Sequence, residues 1–249
     1  MKYGICNLSV IPMRYEPSDR SELVSQVLYG EHFKVLEQRK KWSRIRLAFD
    51  SYEGWIDNIQ YQEVTEEDFI KIDGLKPVMA ADLVDFVSCE DKQLMPIPLG
   101  ASLQVLDYFS HSFEGQSITI QQPKKALIET AYLFLNTPYV WGGKTNFGID
   151  CSGFTQIVYK LNGYKLFRDA SQQVTQGDPL SFIEESEPGD LAFFDNEEGA
   201  ITHVGIMMQD NYIIHAHGKV RVDRIDHTGI FNSEKRTYSH KLRVIKRII

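Results

Sequence analysis

The sequence predicts an α+β domain over residues 123–249, preceded by two small β-barrels over 1–62 and 63–122. Three observations predict it. The 27 Lys+Arg and 34 Asp+Glu of the 249-residue chain are unevenly spread. Residues 1–62 hold 9 basic and 8 acidic groups, 63–123 hold 3 and 11, and 124–249 hold 15 and 15, so charge divides the chain in three. Before 123, short apolar runs alternate with turn clusters, whereas after it helical periodicities come first and strand patterns follow.

In 1–62 the runs Leu23–Leu28, Phe33–Leu36, Trp42–Phe49 and Trp55–Ile59 are separated by Tyr29-Gly30-Glu31 and Asp50-Ser51-Tyr52-Glu53-Gly54. Ile45, Leu47 and Phe49 fall at period two, as a half-buried strand requires. Five or so short strands in about 60 residues predict a barrel, because closure removes edges that a small sheet cannot cover. The spacing of Val78–Val87, Leu94–Leu99, Leu103–Phe109 and Ile118–Ile120 predicts a second one. Pro123 then sits where a helix starts, Leu127, Ala131, Phe134 and Leu135 mark one face, and Pro138 ends it. A second helix has Asp150 as N-cap, Phe154, Ile157, Val158 and Leu161 on one face, and Asn162-Gly163 as stop. Asp190–Phe194, Thr202–Met208, Tyr212–His217 and Val220–Ile225 read as consecutive antiparallel strands.

Composition excludes several classes. A chain with 43% hydrophobic and 24% charged residues is neither disordered nor fibrous. Its net charge of −7 argues against a nucleic-acid partner held through phosphates. Three widely spaced Cys (Cys6, Cys89, Cys151) form neither a disulfide framework nor a CxxC zinc site. No glycine-rich phosphate loop occurs, and paired carboxylates carry no distinctive pattern. The first apolar stretch is broken by Asn7, Ser9 and Pro12, short of the uninterrupted run of about 7–15 apolar residues that a leader needs. No run approaches the roughly 18 apolar residues of a membrane span. The expectation is a cytoplasmic monomer, or a periplasmic or secreted one if the given start is not native.

Cys151 directly follows the Asp150 cap, where helix N–H groups would favour a thiolate and lower its pKa below about 8.5. Those N–H groups could also hold an oxyanion. Cys6 and Cys89 read as buried small hydrophobes. For a base, His203, His215, His217 and His227 lie in the strand region. A two-residue turn at Asp210-Asn211 would put His203 and His215 on opposite faces; a shared face requires an odd-length loop or a bulge. His203, His215 and His217 also admit a zinc reading, since alternate strand residues share a face.

Six motifs occur in order: Pro138-Tyr139-Val140-Trp141-Gly142-Gly143, Asp150-Cys151-Ser152-Gly153-Phe154, Arg168-Asp169-Ala170-Ser171-Gln172-Gln173, Pro188-Gly189-Asp190-Leu191-Ala192-Phe193-Phe194, Thr202-His203-Val204-Gly205-Ile206 and Ile214-His215-Ala216. Over roughly 124–247 the series resembles the NlpC-type cell-wall cysteine peptidase family, which implies a papain-like fold. The pattern ending in Gly54-Trp55-Ile56 resembles a bacterial SH3-like domain, and the second barrel would be another. The resemblance implies Cys151 as nucleophile, His203 as general base, His215 as its orienting residue and His217 as a bystander, with no metal and no cofactor. The pairing of SH3-like and catalytic domains resembles γ-D-glutamyl-L-diamino acid endopeptidases, which implies murein stem peptides as partners. In that subgroup Tyr52 would close one end of a cleft lined by Tyr139, Trp141 and Ser152. Asp169 would bind the ammonium of an N-terminal L-Ala, and Ser171 would substitute for a hydroxyl that Ala170 lacks. The alternatives are a catalytically weak wall-peptide-binding protein, a zinc amidase on His203, His215 and His217, or a thiol amidase or acyltransferase acting on another amide.

Overall fold

The computed structural model describes residues 1–119, 121–233 and 235–249. The chain separates into two compact units, one of residues 1–120 with 141–146, the other of 121–140 with 147–249.

The first unit is built on seven strands, β1 (Lys2–Ile5), β2 (Val10–Arg14), β3 (Leu23–Leu28), β4 (His32–Gln38), β5 (Trp42–Leu47), β6 (Glu53–Asp57) and β7 (Gln62–Val64). They form one sheet in the order β3-β2-β6-β5-β4-β1-β7. The period-two reading holds for two of its three residues: Ile45 and Leu47 are buried with Ile11, Val27, Phe33 and Ile56, whereas Phe49 falls in the turn beyond β5. Cys6 belongs to this core and Cys89 is half-buried.

The expected second closed barrel is not formed. Residues 65–118 make α1 (Glu66–Asp73), the antiparallel ribbon β9–β10 (Val84–Ser88, Leu94–Pro98), a helical turn α2 (Leu106–Phe109), and a two-residue pairing of β8 (Met79–Ala80) with β11 (Ser117–Ile118). Two causes are physical. Pro96 and Pro98 remove ladder donors from β10, which confines it to an edge. Leu106–Phe109, expected as strand, coils because its last carbonyls are met by Ser110, at φ 55°, and His111. The region packs Ile72, Val87, Ile97 and Leu103 onto Ile5 and Tyr29, so it shares a core with the first sheet. The expected strand at 118–120 runs into Ile120, which lies outside the described residues.

The segment 141–146, with β12 (Lys144–Thr145), groups with this first unit. The Trp141 indole donates to Glu22 at 2.6 Å, and Lys144 N donates to the Gln26 side chain at 2.6 Å. Gly142 has φ 75° and lies so close to the Leu23 carbonyl that a Cβ would sit 2.3 Å from its oxygen.

The second unit opens with α3 (Ala126–Tyr132). Leu127, Ala131 and Phe134 are buried, but the helix ends before Leu135, which is exposed. After the short β13 (Gly148–Ile149) comes α4 (Cys151–Leu161), capped by the Asp150 carboxylate on Gly153 N at 2.6 Å. All eleven residues of α4 are buried, so the helix is a central core element rather than an amphipathic one. It packs against two strands of the sheet that follows. Next come α5 (Ala170–Gln173), β14 (Asp178–Leu180), β15 (Leu191–Asp195), β16 (Ile201–Met207), β17 (Tyr212–His217), β18 (Lys219–Ile225), β19 (Gly229–Asn232) and β20 (Thr237–Arg247). The sheet order is β14-β20-β15-β16-β17-β18-β19, and an added β20–β19 pairing closes six of these strands on themselves. Four of them were legible as consecutive antiparallel strands; β20 was not. Asp190, fully buried at the entry to β15, pairs with Lys124 at 2.7 Å and Arg247 at 3.3 Å. No helix among the described residues is long and apolar enough to cross a membrane.

Candidate active site

The β16–β17 hairpin decides whether the histidines meet. Its turn spans three residues, Gln209–Asn211, with Asp210 and Asn211 at φ 57° and 58°, and Met208 and Tyr212 close it. This is the odd-length loop that a shared face demands. Gly205 pairs with His215, so His203, two residues before Gly205, lies diagonal to His215 on the same face. His203 Nε2 is 2.8 Å from His215 Nδ1, and both rings are buried.

Gly205 makes this approach possible. A Cβ there would lie 2.8 Å from the His215 Cβ and 2.7 Å from Ile213 Cδ1. Gly205→Ala is therefore expected to cost about 1–3 kcal/mol of stability through overpacking and to displace the His215 ring. Thermal unfolding beside kcat checks this; unchanged values in both would show that the strand absorbs the methyl.

Behind His215 stands Asp223 on β18, which sequence reasoning did not single out. His215 pairs with Arg221, which places Asp223 diagonally on the same face. Asp223 Oδ2 lies 3.0 Å from His215 Nε2. Arg221 grips the same carboxylate with Nε at 2.6 Å and Nη2 at 2.8 Å. Burial alone would raise the Asp223 carboxyl, but the bonds from His215 and Arg221 outweigh it and hold it below the ordinary range. A carboxylate only accepts, so His215 carries its proton on Nε2 and offers a lone pair at Nδ1. His203 must then donate from Nε2, which leaves its Nδ1 as the basic nitrogen. Burial lowers both imidazoles below the usual histidine range, with neighbouring histidines adding to the shift at His203.

Cys151 begins α4 as expected and is 5% exposed. The expected lowering of its pKa is overturned. Burial pushes the thiol up to about 12, the adjacent Asp150 carboxylate adds to it, and the Val204 and Ser152 N–H groups with Arg168 recover only part. The N–H of Val204, the residue after His203, thus reaches the sulfur. Alkylation of Cys151 by iodoacetamide, which requires thiolate, is accordingly expected to accelerate roughly tenfold per pH unit between 7 and 9. A plateau below pH 8 would instead reveal a preformed thiolate–imidazolium pair.

The Asp150 charge is managed by Arg168, another residue whose part went unread. Arg168 is 1% exposed and meets Asp150 in a fork, Nη1 to Oδ1 at 3.0 Å and Nη2 to Oδ2 at 2.6 Å. It also donates to the Ser152 hydroxyl at 3.1 Å. Ser152, expected to line a cleft, is 6% exposed and turned into this cluster. Asp169 is half-buried and caps α5 in a capping box, with Gln172 returning to its backbone N–H at 3.1 Å. Ser171 is exposed on α5. Tyr139 is half-buried, and its phenol is raised by burial and by the nearby Cys151 and Asp150. Trp141 and Tyr52 belong to the first unit, where Trp141 is 59% exposed and Tyr52 packs partly on the sheet core.

The strand that had gone unread, β20, adds His240. Its ring stacks on His203 with centroids 4.0 Å apart and planes at 21°. The metal-type trio that converges is therefore His203, His215 and His240; His217 is exposed and His227 lies in the turn after β18. Period-two alternation of Tyr238, His240 and Leu242 was the available signal for β20, and the shared parity of His215, Arg221 and Asp223 was the one for the carboxylate.

Comparison with known proteins places the chain among relatives. Residues 136–239 match the NlpC/P60 family and residues 13–59 match the bacterial dipeptidyl-peptidase Sh3 domain. A γ-D-glutamyl-L-lysine dipeptidyl-peptidase of Bacillus subtilis (strain 168) is 32% identical over 215 residues, covering 77% of this chain and 71% of that protein. Dipeptidyl-peptidase 6 of Lysinibacillus sphaericus is 25% identical over 250 residues, with 85% and 87% covered. The fold is shared with the crystal structure of a NlpC/P60 family protein from Bacillus cereus ATCC 10987, at a TM-score of 0.81, 18% identity and 99% of each chain.

Proposed function

This chain belongs to the NlpC/P60 family and is a cysteine peptidase of cell-wall peptides, and we propose that it cuts the γ-D-glutamyl–L-diamino acid bond of murein stem peptides that begin with free L-Ala. The observation that carries the chemistry is the buried series Asp223–His215–His203, which leaves His203 Nδ1 as the basic nitrogen that we assign to the Cys151 thiol. The names of the similar dipeptidyl-peptidases support the bond and the substrate class.

In this reading His203 Nδ1 takes the thiol proton as sulfur attacks the γ-carbonyl carbon. The oxyanion forms at the N-terminal end of α4, among first-turn N–H groups. Collapse breaks the C–N bond, and His203 returns the proton to the departing α-amine. Water then hydrolyses the thioester, with His203 accepting its proton and delivering it to sulfur. Burial raises the thiol and lowers the imidazole, which favours proton transfer that accompanies attack rather than precedes it. Asp169 is the carboxylate we assign to the peptide's ammonium; an N-acylated stem brings no ammonium for it to meet.

The test is mass spectrometry of products from L-Ala-γ-D-Glu-L-Lys and its diaminopimelate counterpart, free and N-acetylated, with wild type and Cys151→Ala. Release of the dipeptide from the free peptides alone, lost in the variant, is expected. Equal cleavage of acetylated and free peptides would remove the Asp169 assignment, and cleavage by Cys151→Ala would remove the mechanism.

A further inference from the structure

Four imidazoles crowd one end of the closed sheet, more than acyl transfer uses. His203 and His215 serve the reaction read above. His240 stacks on His203, and His217 meets the His240 ring edge-on with centroids 4.8 Å apart. One donor atom from each of His203, His215 and His240 can be chosen so that all three lie within 4.8 Å of one another. We propose that these three imidazoles form an inhibitory site for a borderline divalent transition-metal ion, zinc foremost; as an inhibitory device it rests on the peptidase reading, whereas the binding itself does not.

The donor set suits such an ion. Three neutral imidazoles match zinc, whose Zn–N bonds are about 2.0–2.1 Å. His215 already has the backing that metal-bound histidines have: its outer Nε2–H is held at 3.0 Å by Asp223, so Nδ1 points inward as a lone pair. His240 Nδ1 lies 2.9 Å from the Ser239 hydroxyl, which leaves Nε2 for a ligand role. Burial lowers all three imidazoles below the usual histidine range, His240 to about 3.

Binding rearranges two features. The parallel stack of His240 on His203 does not aim both in-plane lone pairs at one point, so His240, half-buried on β20, must turn out of the stack. That reorganisation makes binding weaker than at a three-histidine site already aimed at the ion. The metal also replaces the proton shared between His203 Nε2 and His215 Nδ1. That proton moves to His203 Nδ1, the nitrogen that must accept from the thiol, so His203 loses its basic function without net proton release. The metal switches catalysis off by fixing the wrong tautomer, even with the thiol untouched.

The deciding experiment is calorimetric titration of zinc chloride into the full chain carrying Cys151→Ala, which removes the thiol of the site. One ion per chain in the micromolar range is expected, weakened at least roughly tenfold by adding either His240→Phe, which keeps a ring in the stack, or His240→Gln. In wild type, peptide cleavage should fall with the same midpoint and recover on adding EDTA. Absence of zinc binding in the Cys151→Ala protein would overturn the site, as would unchanged affinity in the well-folded His240 variants. If wild type cleaves neither peptide, the peptidase reading fails on its own, and the calorimetry still decides the metal site. The cobalt(II) complex adds a direct signature: imidazole ligation alone gives no thiolate-to-metal charge-transfer band in wild type, and a strong band would reassign inhibition to Cys151.

Discussion

Asp223→Asn is expected to lower kcat roughly 10–100-fold while leaving KM within about twofold, the scale on which buried orienting groups act through a histidine. The carboxylate takes three donors, one from His215 and two from Arg221. A carboxamide keeps one oxygen and presents an NH2 where the second was, so a donor faces either Arg221 or His215. If it faces His215, that ring shifts its proton to Nδ1, His203 is turned to the Nε2-acceptor form, and the thiol proton loses its destination. Nitrogen NMR of the labelled imidazoles reads this directly: His215 should be Nε2–H in wild type and mixed in the variant. A variant with wild-type kcat, or with unchanged tautomers, would reduce Asp223 to a structural anchor.

The second large effect concerns stability. Arg168→Leu leaves the Asp150 carboxylate buried without its fork, which should cost about 3–5 kcal/mol. For a chain of this size that lowers Tm by roughly 6–20 °C. Removing the buried charge as well, in Asp150→Asn/Arg168→Leu, should recover part of the loss, because the penalty is that of a buried ion without its guanidinium rather than of a missing side chain. A double variant no better than the single one would assign the effect to packing. Arg168→Leu should also make Cys151 harder to ionise, since the guanidinium is one of the groups opposing the Asp150 field; slower alkylation at fixed pH measures that.

Much of this was legible because it depends on local pattern. Asp150 as cap, α4 through Leu161 and the four strands β15 to β18 follow from capping chemistry and short apolar runs. The parity rule also set the condition that the three-residue turn at Gln209–Asn211 meets. What stayed hidden depends on distant pairings. His240 enters the cluster only because β20 lies beside β15 and β19, and nothing local to Thr237–Arg247 announces those neighbours. The Cys151 thiol was misjudged because a helix terminus was weighed and burial was not. Arg168 stood in a noted motif, but an arginine 1% exposed is not foreseeable from spacing. The second barrel failed because strand spacing counted runs without asking whether prolines could join a closed ladder.

The placement of β20 has a consequence for how the second unit assembles. In space it lies between β14 and β15, yet in the chain it follows all the other strands of that sheet. The hairpins from β15 to β18 are local and can zip early, but they then wait with the outer edge of β15 open until residues 237–247 arrive. Leu191–Asp195 is Leu-Ala-Phe-Phe-Asp, an apolar template for pairing with other chains during that interval. The protein is thus most exposed to edge-to-edge association late in folding, and dilution or slower synthesis should raise soluble yield more than added native-state stability does.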